Sequence, residues 1–117
     1  MATRDPFEVV RKHCLAIDGV TEKLSHGSPS FFARGTASRS GPCFVMCMDD
    51  HHGDGILGLW IAAPPGAQQA FVARDPDTFF VPPYVGHRGW LGVRLDRSLP
   101  EAALLDLLDD AYSVVRR

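Results

Sequence analysis

The apolar residues Phe7, Val10, Cys14 and Ile17 recur every three or four positions, with Arg11 and Lys12 between them. That spacing predicts an amphipathic helix with one buried stripe. Asp5, Pro6 and Glu8 suit its start: a capping carboxylate, a proline for the first turn, and a glutamate placed to reach back as in a capping box. Asp18-Gly19 suits its end. The period then shortens. Val20 to Ser25 and Ser30 to Ala33 read as strands about a turn at His26-Gly-Ser-Pro29. Arg34 to Pro42 is small and polar and reads as a solvated hairpin loop.

Cys43 to Met48 is a continuous apolar run, too short for a helix of its own, which predicts a central strand covered on both faces. In Ile56 to Ile61, Leu57, Leu59 and Ile61 share one face. Trp60 takes the other, where it either packs under a helix or floors a groove. A second helix is expected over Ala67 to Arg74, with Ala70, Phe71 and the Arg74 stem inward and Asp75-Pro76 as its stop. Phe79 to Val81 and Trp90 to Leu95 read as strands joined by a glycine-rich turn. Ser98-Leu-Pro-Glu101 repeats the capping-box pattern ahead of a last helix. Leu104, Leu108, Ala111, Tyr112 and Val115 form its stripe, and Asp106, Asp109 and Asp110 face water. This order predicts a single α+β domain over residues 1–117. It is a two-layer sandwich, one antiparallel sheet with the N-terminal, mid-chain and C-terminal helices packed on one face.

Bulk properties narrow the function classes. At 117 residues, 45% apolar and 22% charged, the chain can bury an ordinary globular core. No apolar run approaches the ~20 residues that span a bilayer, and Met1 to Pro6 lacks the apolar segment of a secretory signal. A cytoplasmic protein without membrane contact is expected. The net charge of −2 gives no bulk attraction to phosphate backbones, although ten of the twelve cations are arginine, the residue suited to bidentate anion contacts. The three cysteines form no metal-ligand pattern and read as reduced thiols.

Two stretches invite chemistry. Asp49-Asp-His-His-Gly-Asp-Gly55 mixes imidazoles with carboxylates, the donor set of zinc, manganese or iron. Adjacent residues rarely aim both side chains at one ion, so a hairpin turn is the better reading, and neither a metal nor a cofactor is expected. The second stretch runs from Phe79 to Leu95. Gly86, Gly89 and Gly92 are spaced three apart, with Tyr84, His87, Arg88 and Trp90 between them and Arg94 just beyond. Stacking and cationic groups on a glycine-punctuated turn suit binding. His26, Tyr84, His87, Arg88, Trp90 and Arg94 are therefore the candidate ligand- or nucleic-acid-binding residues. Tyr84 and Trp90 equally suit a plug at the sheet's end, and His26 a bond to its own turn. No nucleophile, paired carboxylate or phosphate loop accompanies them, so a non-enzymatic binding protein is expected and no catalytic residue is assigned.

Gly19-Val-Thr-Glu22, Ser25-His-Gly-x-Pro-x-Phe31, Leu59-Trp60 with Ala63-Pro-Pro-Gly66, and above all Phe79-Phe-x-Pro-Pro-Tyr-Val-Gly-x-Arg-Gly-Trp-x-Gly-Val93 together resemble the MmcQ/YjbR family over nearly the whole chain. The resemblance implies a small bacterial cytosolic protein with a frataxin-like or secretion-chaperone-like α+β fold. It also implies a DNA-binding designation, with no catalytic residues and no cofactor attached. DNA is thus one expected partner. A small molecule or a protein partner held by the Tyr84–Trp90 turn is the other, and an uncharacterised enzyme is a third possibility.

Overall fold

The computed structural model describes residues 5–116; Arg4 and Arg117, two of the arginines counted above, lie outside it. Three helices and six strands follow one another as α1 (Glu8–Leu15), β1 (Thr21–Ser25), β2 (Ser28–Phe32), β3 (Cys43–Asp49), β4 (Leu57–Ile61), α2 (Ala67–Arg74), β5 (Phe79–Phe80), β6 (Leu91–Arg94) and α3 (Glu101–Val115). All strands pair antiparallel in one sheet of order β1-β2-β3-β4-β6-β5. The expected α+β sandwich is the architecture found.

Register decides which side chains share a face, because cross-strand partners point the same way. Phe79, Val93, Leu59 and Cys47 are partners in one row across β5, β6, β4 and β3. This row faces the helices: Phe79 meets Phe71 of α2 with ring centroids 4.9 Å apart, and Cys47 lies near Cys14 of α1. A bulge at the start of β3 leaves Phe44 without a partner on β2. Phe44 is fully buried and stands edge-on to Tyr112 of α3, 5.5 Å between centroids. All three helices therefore cover one face, over a core that includes Val10, Phe31, Val45, Leu59, Ile61, Leu91 and Leu108. Burial pushes the Cys14 thiol up to about 12 and raises Cys47 further, so both act as small neutral hydrophobes.

Several local expectations are corrected. Helix α1 starts at Glu8 and ends at Leu15, so Ile17 packs from beyond it; no side chain caps its first turn, and Asp5 instead accepts from the Phe7 amide. Pro100 occupies the cap position of α3, so the capping box at Ser98 and Glu101 does not form. On α2 the buried residue is Gln68; Ala70 is exposed, and Arg74 lies over the Phe71 ring. The β1–β2 turn is only His26-Gly27, and Ser28 and Pro29 belong to β2.

Candidate functional site

The second face carries a different row: Phe80, Gly92, Trp60, Met46 and Ser30, again partner to partner. No helix covers it. A Cβ at Gly92 would overlap the Phe80 ring, so this glycine is what lets Phe80 lie across the sheet. Trp90 falls on the same face, where Arg88 stacks on its indole at 5.4 Å and only 5% of it remains accessible. The sheet thus has a closed end at Trp90 and an open middle at Trp60.

Over that open middle lies a cavity of about 410 Å³. Met46, Met48 and Trp60 supply its floor, and Ser28 approaches from β2, its hydroxyl donating to the Met48 sulfur at 3.4 Å. His26, His51, His52, Tyr84 and Val85 complete the wall, so three separate loops meet there. The rings form one connected cluster. His51 stands edge-on to Trp60 at 4.9 Å and to Tyr84 at 6.1 Å, and Trp60 and Tyr84 are 6.3 Å apart. Trp60 is 3% exposed whereas Tyr84 is 70% exposed, which makes the indole a floor and the phenol a flap at the rim.

Backbone conformation singles out the same place. Among the described residues, four non-glycine residues have positive φ: His26 (53°), Asp50 (55°), His52 (50°) and Tyr84 (66°). Three of them line the cavity, and Asp50 directly precedes His51. Histidine and aspartate visit this region more readily than most residues, but tyrosine has no such excuse. Each such residue costs on the order of 1–3 kcal/mol, a cost that concentrates at binding sites. His26 and Gly27 both have positive φ, as a type I′ turn requires, and asparagine is the usual residue where His26 stands.

Polar atoms add a third mark. The Nε2 atom of His51 is buried and has no hydrogen-bond partner. An orphaned buried nitrogen costs roughly 1–3 kcal/mol unless something meets it. The carboxylates nearby are already engaged: Asp50 accepts from the Gly55 amide at 2.7 Å and Asp54 from the Ile56 amide at 2.9 Å. Those bonds hold the 50–56 segment as a turn, the reading preferred over a metal loop. Among the described residues no three His, Cys, Asp or Glu side chains converge as a metal-binding group.

The candidates from the sequence thus divide. His26 and Tyr84 come together at the cavity. His87 and Arg88 are exposed on the 3₁₀ turn Gly86–Arg88. Trp90 is buried outside the cavity with Arg88 over its indole, which fits the plug at the sheet's end rather than a ligand-binding position. Arg94 donates through two nitrogens to Asp96, both bonds 3.0 Å, so its fork is occupied and no free arginine pair forms with Arg88. Met46, Met48 and Gln68 were not singled out, and His51 was weighed only as a metal ligand or a turn residue. Gln68 is the positioning residue: its Nε2 donates to the Gly86 carbonyl at 2.8 Å and to the Trp90 carbonyl at 2.6 Å, pinning the turn that follows Tyr84. The period-2 pattern of β3 and β4 was the available signal for the methionines, since Met46, Met48 and Trp60 all alternate away from the Cys47–Leu59 row.

A solved structure with this fold is the crystal structure of Deinococcus radiodurans protein DR2400, which carries a DUF419 domain. It superposes with a TM-score of 0.78 at 19% identity, covering 98% of this chain and 83% of that one, a likeness of fold. No curated protein matches the sequence. The YjbR family matches residues 15–114, which takes in every strand and the whole cavity wall, and the chain belongs to that family.

Proposed function

We propose that this protein is a non-catalytic binding module for a small molecule, held in the cavity over the uncovered face of the sheet. The observation that carries this reading is the coincidence, in one cavity, of strained His26, His52 and Tyr84 with the unpartnered Nε2 of His51. A volume of about 410 Å³ falls in the range of small-ligand pockets. An apolar floor with a few polar atoms at the wall is the usual composition of such sites. Tyr84 at the rim suits a gate that closes on the ligand. The cavity's only aliphatic hydroxyl, on Ser28, is donated to the Met48 sulfur rather than poised against a base, which supports binding over catalysis.

The family's DNA-binding designation has less support on this surface. Arg11, Arg34, Arg94 and Arg97 each pair with a carboxylate, which reduces the free positive charge that phosphates require.

Methionine-methyl NMR tests the choice. The chain has three methionines, and two of them floor the cavity. A screen of small aromatic and aliphatic fragments should move the Met46 and Met48 methyl signals together. If no fragment moves them, while duplex DNA binds with a steep inverse salt dependence, the nucleic-acid reading replaces this one.

A further inference from the structure

Resting on the small-molecule reading, we infer the class of the ligand: a planar aromatic ring bearing a hydrogen-bond-accepting, anionic group such as a carboxylate. Three observations lead there. The first is shape. Trp60, His51 and Tyr84 contact one another at 4.9–6.3 Å and so form a continuous aromatic wall, not a cage with a central hole. A cage would admit a rounded cation between its rings. The wall instead rises from a floor that Trp60 shares with its cross-strand partner Met46 and with Met48, and a flat ring laid on that floor gains aromatic stacking and sulfur–aromatic contact together.

The second is charge. Every titratable side chain lining the cavity is an imidazole or a phenol: His26, His51, His52 and Tyr84. Imidazoles are neutral or positive, and none of the four is a carboxylate. In the His51 loop, Asp50 and Asp54 each have one oxygen held by a backbone amide of that loop. Nothing in the wall therefore opposes an anion, and nothing in it would neutralise a cation.

The third is the unmet nitrogen. His51 Nε2 is buried at the wall with no partner. An acceptor placed against it fixes the tautomer that carries hydrogen there, and the same acceptor serves the protonated ring, which donates from both nitrogens. A charged acceptor makes the stronger bond. The floor then holds the ring, and His51 holds the anionic end.

The test is a calorimetric series on the full chain with four probes. These are 2-naphthoate, 2-naphthamide and 2-naphthylmethylammonium, which keep the ring and change the charge, and adamantane-1-carboxylate, which keeps the charge and removes the plane. We expect 2-naphthoate to bind at least tenfold more tightly than the ammonium or the adamantane acid, with the amide between. His51→Phe, which keeps the wall and deletes the nitrogen, should cost 2-naphthoate about tenfold and leave the amide nearly unchanged. Its melting temperature should equal or exceed that of the wild type, since an unpaired buried polar atom is removed. If the ammonium binds most tightly, or if planar and globular acids bind equally, the ligand class is wrong. In that case Met46 and Met48 methyl shifts with other fragments would show that the cavity still binds. If none of the four probes binds and no fragment moves those methyls, the small-molecule reading itself fails.

Discussion

The two faces of this sheet are built from the same strands and treat their side chains in opposite ways. On the helix face, Phe79, Val93, Leu59 and Cys47 are buried under α1, α2 and α3. On the other face, Phe80, Gly92, Trp60 and Met46 alternate with that row residue by residue, yet their cover is made of loops and leaves a cavity of about 410 Å³. The strained residues and the orphaned nitrogen sit on the second face. One face carries the stability, and the other spends some of it on a preformed site.

If that division is right, equal truncations on the two faces cost unequal amounts. Leu59→Ala, on the fully buried row, should destabilise the protein by about 3 kcal/mol, as large-to-small changes in closed cores do. Met46→Ala, on the cavity floor, should cost about 1 kcal/mol, because the cavity already exists and little new surface is left unpacked. Urea denaturation of both variants measures the gap; equal losses would erase the distinction between the faces.

Gln68→Ala comes next in size. It removes the side-chain donor to the buried Trp90 carbonyl and one of the two donors to the Gly86 carbonyl, which keeps the Gly89 amide, at an expected cost of about 2 kcal/mol. Because those bonds hold the turn after Tyr84, hydrogen exchange should accelerate at the amides around Gly86 to Trp90 and stay unchanged in β3. Uniform acceleration would show that Gln68 supports the core and not the rim.

Tyr84→Gly should have the smallest effect on folding and a large one on binding. The ring is 70% exposed and φ is 66°, so glycine relieves strain while little packing is lost; stability should change by less than about 1 kcal/mol, with an increase favoured. A loss of several kcal/mol would place the phenol in the core.

The helix face also predicts a pH response. The folded Cys14 thiol is raised from 9.0 to about 12 by burial. A raised folded pKa means its contribution is complete below pH 9 and is lost as pH climbs from 9 towards 12, where only the unfolded chain ionises readily. Cys14→Ala should therefore lose stability less steeply than the wild type over that interval.

Much of the fold was legible because burial imposes periods. The stripes of α1 and α3 and the apolar run of β3 are consequences of which face meets the core: Val10, Cys14, Leu104, Leu108 and Ala111 are buried as expected, while Phe7 and Ile17 flank α1 and Met46 faces the loop-covered side. The site was only half legible. His26 and Tyr84 stood out through their glycine- and proline-rich settings, but their neighbours did not. His51 reads as a turn residue because its carboxylate neighbours do serve the turn. Met46 and Met48 read as core because a methionine on a cavity floor and one in a core look alike in a sequence. Trp60 and Trp90 share a face, and only the loops decide that one floors a cavity while the other is sealed by Arg88 and the 86–90 turn. Loop cover is a tertiary matter that no local period records.

The most direct test of the site is a crystal structure of the protein grown or soaked with 2-naphthoate. The account predicts density for the ring over the floor of Trp60, Met46 and Met48, with a carboxylate oxygen within hydrogen-bond distance of His51 Nε2. A cavity that stays empty at saturating probe, or a probe bound at the Arg34–Pro42 loop instead, would contradict it.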